Sequence, residues 1–120
     1  MAIILYVEDH PPAQLLMGAV VAEMTIHTLI TAGNGEQARQ AALQHRPALY
    51  IVDLDLPDTD GVSLIRQLKQ IHSASAVLVS AYAESVDVER LSGIVDAYLA
   101  KPLDPTDVAQ IIEHTLTGSN

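Results

Sequence analysis

Short runs of consecutive apolar residues recur along this chain, and between them apolar positions return every three or four residues. The short runs are Ile3–Val7, His27–Thr31, Leu49–Val52, Ala76–Val79 and Ala97–Ala100. Runs of that length that stay apolar throughout are what strands covered on both faces require. His27–Thr31 is the weakest, and the turn signal AGNG closes it. The intervening stretches read as helices. Pro11–Met24 opens with two prolines, which a first helical turn tolerates because its N–H groups lack intrahelical partners. Its stripe Leu15, Leu16, Ala19 and Val20 is assigned to the core. Glu36–Gln44 consists of good helix formers. Val62–Ile71 sets Leu64, Ile65, Leu68 and Ile71 on one face. Glu84–Leu91 reads as a short helix, and Pro105–Leu116 as the last, with Val108, Ile111, Ile112 and Leu116 as its apolar stripe.

Five strands alternating with five helices predict an α/β fold: one domain over residues 1–120, a doubly wound parallel sheet with helices on both faces. In such sheets ligands bind beyond the carboxyl ends of the strands. The polar residues there are Glu8 and Asp9 after the first strand, Asp53 after the third, Ser80 after the fourth and Lys101 after the fifth. Parallel strands gather all five at one edge. The stretch VDLDLPDTDG, Val52 to Gly61, adds four aspartates within eight residues. Like charges crowded this closely need solvent, a cation or a basic partner to offset their repulsion. Carboxylates and water are the ligands of Mg²⁺. A carboxylate beside such a cation and a lysine can act as a nucleophile toward a phosphoryl group, so Asp53 is the candidate reactive group. Asp58 and Asp60, in a proline-glycine turn, read as structural caps.

Composition narrows the alternatives. Six basic residues against fifteen acidic ones give a formal net charge of −9. The basic residues are scattered, so no patch could track a phosphate backbone and direct nucleic-acid binding is not expected. The only aromatics are four tyrosines, which rules out a Phe/Trp stacking platform. No apolar run approaches the roughly 20 residues of a membrane span, and no membrane association is expected. The chain has no cysteine, which fits a reducing cytoplasm. Its five histidines show no metal-ligand spacing. An EF-hand fails, because counting from Asp53 the sixth position is Asp58 rather than Gly and the twelfth is Leu64 rather than Glu.

Taken together, Glu8-Asp9, Asp53-Leu-Asp-Leu-Pro57 with Asp60-Gly61, Ser80-Ala81, and Tyr98-Leu-Ala-Lys101-Pro102 resemble a response-regulator receiver domain of two-component signalling. The resemblance covers essentially the whole chain. It implies a flavodoxin-like sheet of order 2-1-3-4-5. It implies that Asp53 accepts a phosphoryl group from a histidine kinase or phosphotransfer protein. Asp9, Asp53 and the Asp55 backbone carbonyl would hold Mg²⁺, with Glu8 acting through water. Ser80 and Lys101 would contact the phosphoryl oxygens, and Tyr98 would be the aromatic that swings inward when Ser80 moves. Asp55 and Tyr82 occupy places that tune hydrolysis of the phosphoryl group. Such a domain is not a conventional enzyme, though it catalyses its own phosphorylation and dephosphorylation. A downstream output protein or domain would read the switch, and many receivers form homodimers through the face around the fourth helix. Lys101-Pro102 is a cis bond in most of the family.

Two alternatives differ in kind. One is a degenerate receiver that binds partners without phosphorylation. Between Ser80 and Lys101 the chain is about one residue shorter than the family norm, and Gly93-Ile-Val replaces the usual Gly-Ala. The other is a Mg²⁺-dependent aspartyl phosphatase of the haloacid-dehalogenase type, suggested by Asp53-x-Asp55. That motif belongs near an N-terminus, and here it lies mid-chain.

Overall fold

The computed structural model describes residues 1–81 and 87–118. Its elements are β1 (Ile3–Val7), α1 (Pro11–Met24), β2 (Thr28–Ala32), α2 (Gly35–His45), β3 (Leu49–Asp53), α3 (Gly61–Ile71), β4 (Ser75–Ser80), β5 (Ala97–Ala100) and α4 (Pro105–Leu116). The five strands form one sheet of order β2-β1-β3-β4-β5. Every neighbouring pair is parallel. All five expected strands are present, with ends moved by a residue or so.

Alternation along the strands divides the core in two. Leu5, Val7, Tyr50, Val52 and Leu78 face α2 and α3, where Leu64, Ile65 and Leu68 complete the layer. Ile4, Tyr6, Leu49, Ile51, Val77 and Val79 face α1 and α4, where Met17, Val20, Val21, Val108 and Ile112 pack. Burial on both faces is why these strands read as unbroken apolar runs. Tyr50 is fully buried, yet its hydroxyl donates to the carbonyls of Leu68 and His72, tying β3 to the end of α3.

Two expectations need correction. The buried face of α1 is only partly the one assigned to it: Val20 is buried and Leu16 packs against the core, but Met17 and Val21 complete the buried side, whereas Leu15 is 76% exposed and Ala19 is also exposed. This helix is apolar nearly all round, so its periodicity carries no information about which side faces inward. The fourth expected helix, Glu84–Leu91, lies partly outside the described residues, and among the described residues there are four helices, not five. From Asp87 to Val95 the backbone forms successive turns, with N–H groups of Leu91 and Ile94 donating to Asp87 and Leu91 carbonyls. Tyr82 also lies outside the described residues.

Candidate functional site: an acidic pocket at the strand ends

The sheet register positions the site. Val7 pairs with Val52, so Glu8, the residue just past β1, stands level with Asp53 at the end of β3. Asp53 pairs with Val79, which puts Ser80 one residue further out, and Ser80 pairs with Ala100, which puts Lys101 one further again. The ladder continues one bond past each strand. Glu8 N–H donates to the Ala32 carbonyl, Leu54 N–H to Val79 and Lys101 N–H to Ser80. The backbones of Glu8 and Lys101 are thereby pinned just beyond their strands, while Asp53 and Ser80 are the last residues of β3 and β4.

At this edge the Lys101 ammonium donates to Glu8 Oε1 at 2.9 Å and to Asp53 Oδ2 at 3.1 Å. Glu8 is only 1% exposed and Asp53 5%. Burial of two acids is tolerated because they share a cation and hydrogen bonds. Glu8 Oε1 also accepts from the Tyr6 hydroxyl at 3.3 Å, and Oε2 from the His10 amide at 3.3 Å. The Gln14 side-chain amide donates to the Glu8 carbonyl, fixing the start of α1 against the pocket. Asp9 is exposed, and each of Glu8, Asp9 and Asp53 offers a carboxylate oxygen within 4.8 Å of the others.

The electrostatics pull the two buried acids apart. Burial pushes the Asp53 carboxyl up to about 6, with the negative charge of Glu8 adding to the rise and Lys101 opposing it. Burial acts the same way on Glu8, but hydrogen bonding and charge from Lys101 prevail and hold it below the ordinary range. For Lys101, burial works against the charged form, while its bonds to Glu8 and Asp53 outweigh that and raise it. Two neighbouring carboxyls driven in opposite directions are a mark of a chemically active site. With all groups ionised, three carboxylates and one ammonium leave the pocket two positive charges short of neutrality. An all-oxygen donor set with that deficit and an open side at Asp9 suits a small hard divalent cation.

The loop after β3 gives each remaining aspartate a partner. Asp60 is the N-cap of α3, its carboxylate accepting from the Ser63 amide at 2.8 Å. Asp58 reaches across to the start of α2, where it accepts from the amides of Gly35 at 2.8 Å and Glu36 at 3.2 Å. A carboxylate at a helix N-terminus is favoured by the unpaired N–H groups and the dipole. Asp55 is exposed and forms an isolated antiparallel bridge with Asp60. Gly61 folds the loop back onto β3: its N–H donates to the Leu54 carbonyl at 2.7 Å. A Cβ there would collide with the Asp53 carbonyl and lie 2.9 Å from Leu54 Cα.

Of the residues singled out in the sequence, Glu8, Asp9, Asp53 and Lys101 converge on one pocket. Ser80 is buried at the end of β4, beside them in the register. Tyr98 lies further back on β5, half-buried against the α2/α3 core, and its buried hydroxyl has no hydrogen-bond partner among the described residues. Lys101-Pro102 is cis. Sequence reasoning missed Tyr6. The signal available was its position two residues before Glu8, on the same face of β1.

Residues 4–113 match the response regulator receiver domain family, and the chain belongs to that family of two-component signalling proteins. It is 36% identical over 117 residues to the transcriptional regulatory protein BaeR of Escherichia coli O6:H1, covering 94% of this chain and 47% of BaeR. The chain thus spans about half the length of the first curated relatives it matches. It is 25% identical over 115 residues to the chemotaxis protein CheY of Bacillus subtilis, covering 94% of this chain and 96% of CheY. Among solved structures, the response regulator TrrA of Thermotoga maritima, in complex with Mg²⁺ and BeF, shares the fold with a TM-score of 0.84 at 23% identity. That match covers 96% of this chain and 99% of TrrA.

Proposed function

We propose that this domain is a phosphorylation-dependent switch in which Asp53 accepts a phosphoryl group from a histidine kinase or phosphotransfer protein. The observation that carries the reading is the convergence of Lys101, Glu8 and Asp9 on the Asp53 carboxylate in a pocket lacking two positive charges. Asp9, Asp53 and the Asp55 carbonyl would hold Mg²⁺, with Glu8 behind them. Bound there, the metal supplies charge that offsets the electron-rich phosphoryl oxygens and favours the ionised Asp53. The complex of TrrA with Mg²⁺ and BeF is in keeping with such a site.

An Asp53 carboxylate oxygen attacks phosphorus in line with the donor, the donor's bond to phosphorus breaks, and an aspartyl phosphate results. The modification brings about −1.5 to −2 charges and three strong acceptors. Lys101 transfers its bond from the carboxylate to a phosphoryl oxygen, and Ser80 closes on another. Tyr98, whose buried hydroxyl has no partner among the described residues, is then the side chain that repacks. A downstream protein or domain reads the altered face around β5. This chemistry belongs in the cytoplasm, where phosphodonor proteins meet it.

The test is incubation with acetyl phosphate or phosphoramidate and Mg²⁺, followed by intact-mass spectrometry. A gain of one phosphoryl group in the wild type and none in Asp53→Asn is expected. Retention of the label in Asp53→Asn would refute the assignment. If the wild type responds to neither donor nor beryllofluoride, the domain is a phosphorylation-independent interaction module. Release of inorganic phosphate from ordinary phosphomonoesters would instead mark a phosphatase.

A further inference from the structure

Tyr6 is among the largest fully buried side chains of the molecule, on a strand whose other buried positions, Ile4, Leu5 and Val7, are aliphatic. A phenylalanine would fill the same apolar space, so the hydroxyl needs its own reason. Burying an unpaired hydroxyl is unfavourable, and among the described residues the Tyr6 hydroxyl donates to Glu8 Oε1 at 3.3 Å. That oxygen is also the one nearer partner of Lys101, at 2.9 Å, while the same ammonium reaches Asp53 Oδ2 at 3.1 Å. Glu8 Oε2 is taken by the His10 amide. Both Glu8 oxygens are therefore engaged by protein donors, and one oxygen divides its acceptor capacity between a neutral hydroxyl and the ammonium.

Resting on the phosphoacceptor reading above, we propose that Tyr6 is a positioning residue for Lys101, acting through Glu8. Its hydroxyl holds the Glu8 carboxylate in place and satisfies part of Oε1, so the ammonium stays shared between Glu8 and Asp53 instead of closing onto Glu8 alone. Lys101 is thereby kept available to the group that arrives on Asp53. At 3.3 Å the bond is longer than the usual O–H···O distance, so the hydroxyl biases the sharing and does not dictate it. The expected effect is correspondingly moderate.

Tyr6→Phe removes one oxygen atom and keeps the ring. In the metal-free protein it should shift the Lys101 ¹⁵Nζ ammonium resonance, a signal that loss of packing elsewhere would leave unmoved. With Mg²⁺ present, the beryllofluoride half-saturation concentration should rise by about 3- to 10-fold, the size of one modest hydrogen bond. Added to Glu8→Gln, the Tyr6→Phe change should have no further effect, because Tyr6 acts only through that carboxylate. An unmoved Lys101 resonance in Tyr6→Phe, or the same loss recurring in the Glu8→Gln background, would overturn the proposal. If Tyr6→Phe does not fold, 3,5-difluorotyrosine at position 6 strengthens the donor and must itself shift the Lys101 resonance, or the proposal fails. A wild type that never binds beryllofluoride defeats the phosphoacceptor reading alone, since the metal-free ammonium measurement is independent of it.

Discussion

Lys101 reaches back across 48 residues of sequence to place its ammonium 3.1 Å from Asp53 Oδ2. Among the described residues nothing nearer in sequence supplies a cation to that carboxylate, and the same ammonium also serves Glu8 at 2.9 Å. The pocket thus carries a built-in counter-ion that keeps two buried acids tolerable before any ligand arrives.

Replacing that counter-ion separates its two roles. Lys101→Ala should fold in the presence of Mg²⁺ but melt at a lower temperature than wild type in EDTA, because the buried acids lose their partner. Removing one positive charge from within a few ångströms of the metal position should tighten Mg²⁺ binding by at least ~10-fold at low salt. Phosphorylation should no longer alter partner binding. Thermal melts with and without metal, a Mg²⁺ titration and a partner-binding assay check the three outcomes; an unchanged partner response in the variant would remove Lys101 from the switch.

Asp53 should titrate near 6 in the metal-free protein, since burial raises its carboxyl from the ordinary 3.8 to about 6. The folded state then binds a proton more tightly than the unfolded chain, so this group's contribution to stability falls as pH rises from about 4 to about 6. Mg²⁺ should pull the titration down and close that window. The ¹³Cγ shift of Asp53, followed against pH with and without metal, measures it directly. A metal-free midpoint below 4 would mean that burial does not govern this carboxyl.

Gly61→Ala should destabilise the protein by about 1–3 kcal/mol, the usual cost of forcing extra volume into a packed site. The collision is with the Asp53 carbonyl, so the labelling rate at Asp53 should fall as well. Gly93→Ala is the control, because a Cβ there meets nothing within 4 Å. Equal urea midpoints for the two variants would contradict the close approach.

Asp60→Ala removes the N-cap of α3 and should cost about 1 kcal/mol, while Asp60→Asn, which keeps the acceptor, should cost less. The Ser63 amide holds the Asp60 carboxyl below its ordinary range. Its contribution is therefore present above the unfolded-state value and is lost as acid protonates it, opposite in sign to that of Asp53. Urea denaturation at neutral and acid pH tests both statements.

Much of this was legible in the sequence, for identifiable reasons. Strands buried on both faces leave unbroken apolar runs, so β1, β3 and β4 could hardly be missed, and parallel order then placed Glu8, Asp9, Asp53 and Lys101 at one edge. The buried side of α1 could not be read, because Leu15 and Met17 are equally apolar and only packing against the sheet decides between them. Asp58 was legible as a cap but not its helix: its partners Gly35 and Glu36 are more than twenty residues away. Tyr6 looked like core and is core; its spacing two residues before Glu8 puts both on one face, but that the hydroxyl touches Glu8 also depends on the carboxylate turning inward, which spacing alone does not fix.

The stepped register from Glu8 and Asp53 through Ser80 to Lys101 bears on how such a domain can vary. An insertion in a loop lengthens a surface excursion and leaves the staircase standing. One extra residue within β3 would rotate everything after it to the opposite side of the sheet, sending Asp53 toward a helix layer instead of its lysine. Length can therefore change in the connections away from the pocket without disturbing it, whereas a one-residue change within a strand would dismantle it.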